Sequence, residues 1–325
     1  MQIELHDNHF RQTIFMVKVV LIALMIIVHQ FVVNIPFTAQ WIFFGVLIVL
    51  TGIPHGALDH QVAKQTSRMH AQAFSPLQFY IRYITPMLIY GICWLLFPTF
   101  SLYVFLWLSA FHFGETDLPI AQDHFSLATI LLQTSYGLLV LSLLLILHLN
   151  EVLPILNQIN IFDASLILFL QSSTAVNYSI IVALLFFLIT LIAFWQIKQQ
   201  PLWPLLKRMS MMLGIVAMSS LTLSLPLSFA IYFGVWHSMV SLENIRQHLS
   251  VIKKLSWGAL LIQCIPFTLF SLIGIFILIF VFKLHQQLDL FLMGLFIGIS
   301  ILTLPHQKVM SQMFNQIRRA PTPRT

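Results

Sequence analysis

Charge is scarce in this chain. Asp, Glu, Lys and Arg make up 8% of its 325 residues, and only 10 residues are acidic. A soluble domain carries about a quarter charged residues, so that class is excluded when 59% hydrophobic content and a mean hydropathy of +0.91 are added. Cysteine is nearly absent: Cys93 and Cys264 lie inside separate apolar runs and read as core residues, not as a disulfide or a metal pair. No nucleophile stands near triad partners, and no phosphate-cradling glycine loop or dinucleotide fingerprint occurs. The paired histidines of a membrane di-iron desaturase are missing too. The net charge of +6 falls in short connections between apolar runs, which reads as membrane topology and contact with anionic headgroups, not as a nucleic-acid groove.

Uncharged apolar runs recur from Val17 to Thr303 and predict an all-α, polytopic transmembrane helical bundle of about 8–10 membrane segments. The organisation expected is a cytoplasmic N-terminal segment over 1–12, a membrane-embedded helical domain over 13–306 and a basic cytoplasmic tail over 307–325. Short segments pair around two prolines: Ile84–Phe97 with Leu102–Phe113 around Pro98, and Met211–Leu225 with Leu227–Val240 around Pro226. Each pair is read as entering the membrane and returning, as short or re-entrant helices. That arrangement puts 14 of the 16 Lys and Arg residues on one side, which the positive-inside rule makes cytoplasmic. The expected location is the cell inner membrane, multi-pass, with both termini in the cytoplasm.

Against this apolar background four histidines stand out. Ile53 to His60 reads IPHGALDH and closes an uncharged run from Gln40 to Pro54; Phe111 to Asp117 reads FHFGETD and closes another. His237 follows Trp236, and His306 follows Pro305. Read as helix ends, His55, His112, His237 and His306 all fall on the cytoplasmic side, where the partial negative charge of helix C-termini favours a cation. A lone interfacial histidine is more often a hydrogen-bonded helix terminus than a ligand. Four on one face shift that balance, because a cluster drawn from separate helices is how bundles hold iron, zinc or copper. His60 is a further ligand candidate. Asp59, Glu115 and Asp117 are placed to accept hydrogen bonds from ligating imidazoles, with loop solvation as the simpler alternative. Tyr232, Phe233 and Trp236 are candidates to line an apolar ligand, with packing as theirs. His6, His9, His70, His124, His148, His248 and His285 are assigned to loops or tails. A mononuclear iron with open positions suits dioxygen activation on a hydrocarbon that offers no polar handle.

Taken in order, Pro54-His55-Gly56 with Asp59-His60, His112-Phe113-Gly114 with Asp117, Trp236-His237 and Pro305-His306 resemble the Brp/Blh family of microbial membrane β-carotene 15,15′-dioxygenases. The resemblance spans residues 55–306. It implies Fe(II) held by four histidines and cleavage of the central double bond of β-carotene by O2 into two all-trans-retinal molecules. It implies β-carotene, O2 and the lipid bilayer as partners, with a retinal-accepting rhodopsin as a further one and no nucleic acid. Carried over by position, His55, His112 and His237 match family ligands. The family pattern places a fourth histidine four residues after the third, where this chain has Ser241. His306 is the preferred substitute, with His60 as the alternative. The departure at Ser241 also motivates a second reading, a divergent, non-catalytic membrane protein that binds carotenoid or retinal.

Overall fold

The structure is a computed structural model that describes residues 16, 19–20, 22–32, 35–118, 120, 126–158, 172–198, 203–252, 254–284 and 289–319. Among these residues every regular element is helical. Helical residues 22–32 precede ten helices: α1 (Phe37–Met69), α2 (Pro76–Leu96), α3 (Pro98–Asp117), α4 (Leu127–Ile146), α5 (Leu149–Asn157), α6 (Ser173–Lys198), α7 (Trp203–Thr222), α8 (Leu225–Leu249), α9 (Trp257–Leu284) and α10 (Asp289–Arg319). Six of the described helices are long and apolar enough to cross a membrane: α1, α2, α4, α6, α8 and α9. The chain is thus an all-α, polytopic helical membrane protein.

Burial sorts these helices into layers. Most of α4 and α8 is enclosed by protein, whereas α9 and α2 present almost all of their apolar surface outwards. α3 packs along α4, α4 along α6, and α10 along α2, α3 and the second half of α1. One core cluster fills the space between α3, α4, α6, α7 and α8, with Tyr136, Phe194, Tyr232 and Trp236 among its members. Polar side chains tie α2, α3 and α10 where lipid offers no alternative partner. Tyr90 donates to the carbonyl of Ser101 (2.7 Å), Trp94 Nε1 donates to Ser300 Oγ (2.9 Å), and Ser300 donates to Tyr90 (3.2 Å).

Several helices run further than their apolar cores. The segments around Pro98 and Pro226 extend into α2, α3, α7 and α8, each of at least 20 residues. Lys64 and Arg68, among the charges that the apolar pattern assigns to connections between runs, sit on α1. The reading of His55, His237 and His306 as helix ends is corrected: all three lie inside helices, and only His112 lies near one, five residues before the end of α3. The cause is amphipathic continuation. Past the membrane part, α1 keeps an inner face of Val62 and Gln65, and α10 buries Val309, Met310 and Met313 on the far side of residue 306. Residues 1–12, the whole expected N-terminal segment, and 320–325 at the end of the tail lie outside the described residues, whereas 307–319 of the tail continue α10.

α3 and α4 approach until their backbones touch. A Cβ added at Gly114 would run into the backbone of Gln133, and one added at Gly137 would run into the backbone of Ala110. The two glycines make a reciprocal contact, each with no side chain where the other helix passes. Because Gly114 is two residues from His112, this contact also sets the depth and rotation of that imidazole. Gly137→Ala should therefore destabilise the detergent-solubilised protein by about 1–3 kcal/mol, read as a lower midpoint of thermal unfolding. Gly274→Ala, on α9 with nothing within 4 Å of the added carbon, should not.

Candidate metal centre

Two wide turns face each other at the centre of the bundle. In α1 the residues Ile48–Gly52 form a π turn just before Pro54, which has no N–H to donate one turn back. In α8 the residues Ala230–His237 form a second π segment. Thr51 Oγ1 joins them, donating to the carbonyls of Leu47 (2.8 Å) and Gly234 (2.9 Å). Small residues let the helices close: a Cβ at Gly234 would lie 2.9 Å from Leu47 Cβ, and one at Gly52 would lie 3.1 Å from the Phe233 ring. His55 leaves α1 one turn after Thr51, and His237 closes the π segment of α8. Pro305 breaks the hydrogen-bond ladder of α10 immediately before His306.

These elements bring four buried imidazoles together. His55, His112 and His237 each present a ring nitrogen within 4.8 Å of the others. Nε2 of His112 and Nε2 of His237 are 3.2 Å apart. The His306 ring lies with its centroid 5.0 Å from that of His55 and 5.0 Å from that of His112. Its Nδ1 meets both carboxylate oxygens of Asp59, at 2.9 and 3.0 Å, and Tyr83 donates to the same carboxylate at 2.7 Å. The carboxylate accepts from Nδ1, which leaves Nε2 as the atom that His306 can offer to an ion. That Nε2 is buried and has no hydrogen-bond partner in the protein.

The other candidates divide by location. His60 is packed against Phe267 of α9, ring centroids 4.8 Å apart, and does not join the four imidazoles. Ser241 is fully buried one turn beyond His237. Glu115 accepts from Gln307 Nε2 (3.1 Å) and Ser311 Oγ (2.6 Å), and Gln307 also lies beside His112. Asp117 accepts from Tyr232 (2.9 Å), with a longer contact of 3.5 Å from Tyr136, and the Arg208 guanidinium is near it. Tyr232 and Trp236 thus turn towards Asp117, whereas Phe233 stacks on His237 with centroids 5.6 Å apart and meets the edge of His55 at 5.8 Å. His248, assigned to a loop, is buried on α8 with Nε2 3.1 Å from Thr66 Oγ1. His6, His9, His124 and His285 lie outside the described residues. Reading the sequence missed Tyr83, Gln307 and Ser311. Gln307 follows His306 directly, and that adjacency is the signal that could have found it.

The donor set fits a metal ion. Three buried imidazoles with ring nitrogens within 4.8 Å of one another, beside a fourth whose Nε2 has no partner in the protein, could share one cation. Neutral imidazoles without thiolate suit iron, zinc or copper.

A family model described as Beta-carotene 15,15'-dioxygenase matches residues 46–314. A curated protein named Beta-carotene 15,15'-dioxygenase, from Uncultured marine bacterium 66A03, is 25% identical over 276 residues, covering 82% of this chain and 92% of that protein. No solved structure matches the chain.

If Asp59 orients a ligating His306, Asp59→Asn should weaken metal binding about 10–100-fold. Competition against a chelator measures this on the purified protein. Tyr83→Phe, which leaves the carboxylate in place, should have the smaller effect.

Proposed function

The chain belongs to the beta-carotene 15,15'-dioxygenase family, and from that premise we propose that it cleaves the central 15,15′ double bond of β-carotene with O2 into two molecules of all-trans-retinal. The observation that carries the reading is the convergence of His55, His112 and His237, from α1, α3 and α8, on a space 4.8 Å across. These three would hold Fe(II), with His306 as the fourth ligand in place of a histidine at Ser241. Iron(II) bound there supplies the one-electron chemistry that lets dioxygen react with a hydrocarbon. His60 has no part in it.

The stoichiometry explains what the side chains need not do. One carbon–carbon double bond breaks, each carbon takes one oxygen atom of O2, and no proton or external electron is consumed. A general acid or base is therefore not required. The carboxylates fit that demand, since each accepts hydrogen bonds within the protein: Asp59 from His306 and Tyr83, Glu115 from Gln307 and Ser311, and Asp117 from Tyr232. Their work is to orient the imidazoles and the helices that carry them. Phe113 and Phe233 stand against His237 at 4.7 and 5.6 Å and keep water from the reacting carbons. Positioning of the polyene is the protein's main contribution.

β-Carotene dissolves only in lipid, so it would reach the site sideways from the bilayer of the cell inner membrane. Retinal would leave by the same route, with a retinal-accepting rhodopsin as the partner class. Both termini and the basic connections are placed on the cytoplasmic side by their charge.

Expression in a bacterial strain that accumulates β-carotene tests the reaction. Retinal should appear as the orange colour fades, His112→Ala should abolish this, and His60→Ala should leave it near the wild-type level. Intact carotene with folded, iron-supplied protein would instead favour the non-catalytic binding reading.

A further inference from the structure

Five aromatic rings form an unbroken file that ends on the imidazoles. From Phe37 to Trp41 the centroids are 6.1 Å apart, from Trp41 to Phe44 5.7 Å, from Phe44 to Phe229 5.9 Å, and from Phe229 to Phe233 5.7 Å. Phe233 then lies almost parallel to His237, with 20° between the ring planes. The file starts on α1 and passes to α8 between Phe44 and Phe229.

Aromatic stripes on membrane helices are commonly packing or interfacial contacts. Two features set this one apart. Tyr232 and Trp236, elsewhere on α8, are completely enclosed, whereas Trp41, Phe44, Phe229 and Phe233 keep part of each ring uncovered and Phe37 at the far end is 55% exposed. Of the two phenylalanines against His237, Phe113 is buried and Phe233 is not, so the file leads outwards from the imidazoles over Phe233. Its length also fits. Phe44 and His55 are 11 residues apart on α1, about 16 Å at the rise of a helix, comparable with half of an extended β-carotene from central bond to terminal ring.

We propose that this file seats one half of the polyene: Phe233 beside the carbons next to the cleaved bond, Phe229 along the conjugated chain, and Phe44 beside the terminal ring, with Trp41 next to it at the outer end. The inference deepens the reaction proposed above and rests on it. It makes the distance from Phe44 to the imidazoles the ruler that selects the central double bond.

The test uses all-trans-retinal, which is that half molecule. Its absorption overlaps tryptophan emission, so retinal bound along the file should quench Trp41. The part of the quenching due to Trp41 is the difference between wild type and Trp41→Phe, a change that keeps a ring in place. That difference should be large and saturable. Phe44→Leu and Phe229→Leu should each raise KM for β-carotene about threefold to tenfold, with kcat changing less. Equal quenching in wild type and Trp41→Phe, or unchanged KM in both leucine variants while wild type makes retinal, would overturn the inference and leave the file to lipid acyl chains. Saturable quenching of Trp41 in a wild type that makes no retinal would uphold the binding site and refute the reaction.

Discussion

Imidazole nitrogens sealed away from water are the constraint around which this bundle is built. Each ring has two nitrogens that require partners, and an unpartnered polar atom in an apolar interior costs about 1–3 kcal/mol. At the centre of the chain the protein supplies only some of those partners. His306 spends Nδ1 on Asp59 and keeps Nε2 bare, and His112 and His237 point Nε2 at each other across 3.2 Å. Such an arrangement is poor as packing and good as a ligand set. A cation shared among the nitrogens removes the penalty, so metal binding should contribute to the stability of the fold as well as to its chemistry.

The rest of the structure reads as the means of keeping those nitrogens in register. Backbone contact at Gly114 and Gly137 fixes α3 on α4, and the two π segments let α1 and α8 bring His55 and His237 inwards from mid-helix. Three carboxylates lie around the centre, and none of them belongs to the group of close donors that His55, His112 and His237 form. Asp59 is committed to His306 and Tyr83, Glu115 to Gln307 and Ser311, and Asp117 to Tyr232. A buried carboxylate is expensive unless it is hydrogen-bonded. Here each is bonded to groups from another helix, so the same bonds that lower the cost also lock helix to helix: α1 to α2 and α10, α3 to α10, and α3 to α8.

The histidines were legible because polar groups are rare in this chain. His55, His112, His237 and His306 stand out against uncharged runs, and position in an apolar run is a local property that a sequence displays. What surrounds them is not local. That α1 continues as a helix past His55 depends on the burial of Val62 and Gln65 against α8 and α10, which the hydrophilic look of Asp59 to Arg68 conceals. That Phe233, and not Tyr232 or Trp236, meets the imidazoles depends on how α8 is rotated against α1 and α3, which no stretch of α8 displays by itself. Phe44 and Phe229 are ordinary membrane phenylalanines until the fold sets them 5.9 Å apart. Tyr83, 24 positions from Asp59, could be assigned to it only once α2 was seen beside α1.

The most direct test of four imidazoles around one ion is X-ray absorption at the iron edge of the Fe(II)-loaded protein. Multiple scattering from imidazole rings reports how many are bound. The account predicts four in the wild type and three in His306→Ala, with the count in His60→Ala unchanged. Three rings in both the wild type and His306→Ala would contradict it, and would return the place of the fourth ligand to water or to another side chain.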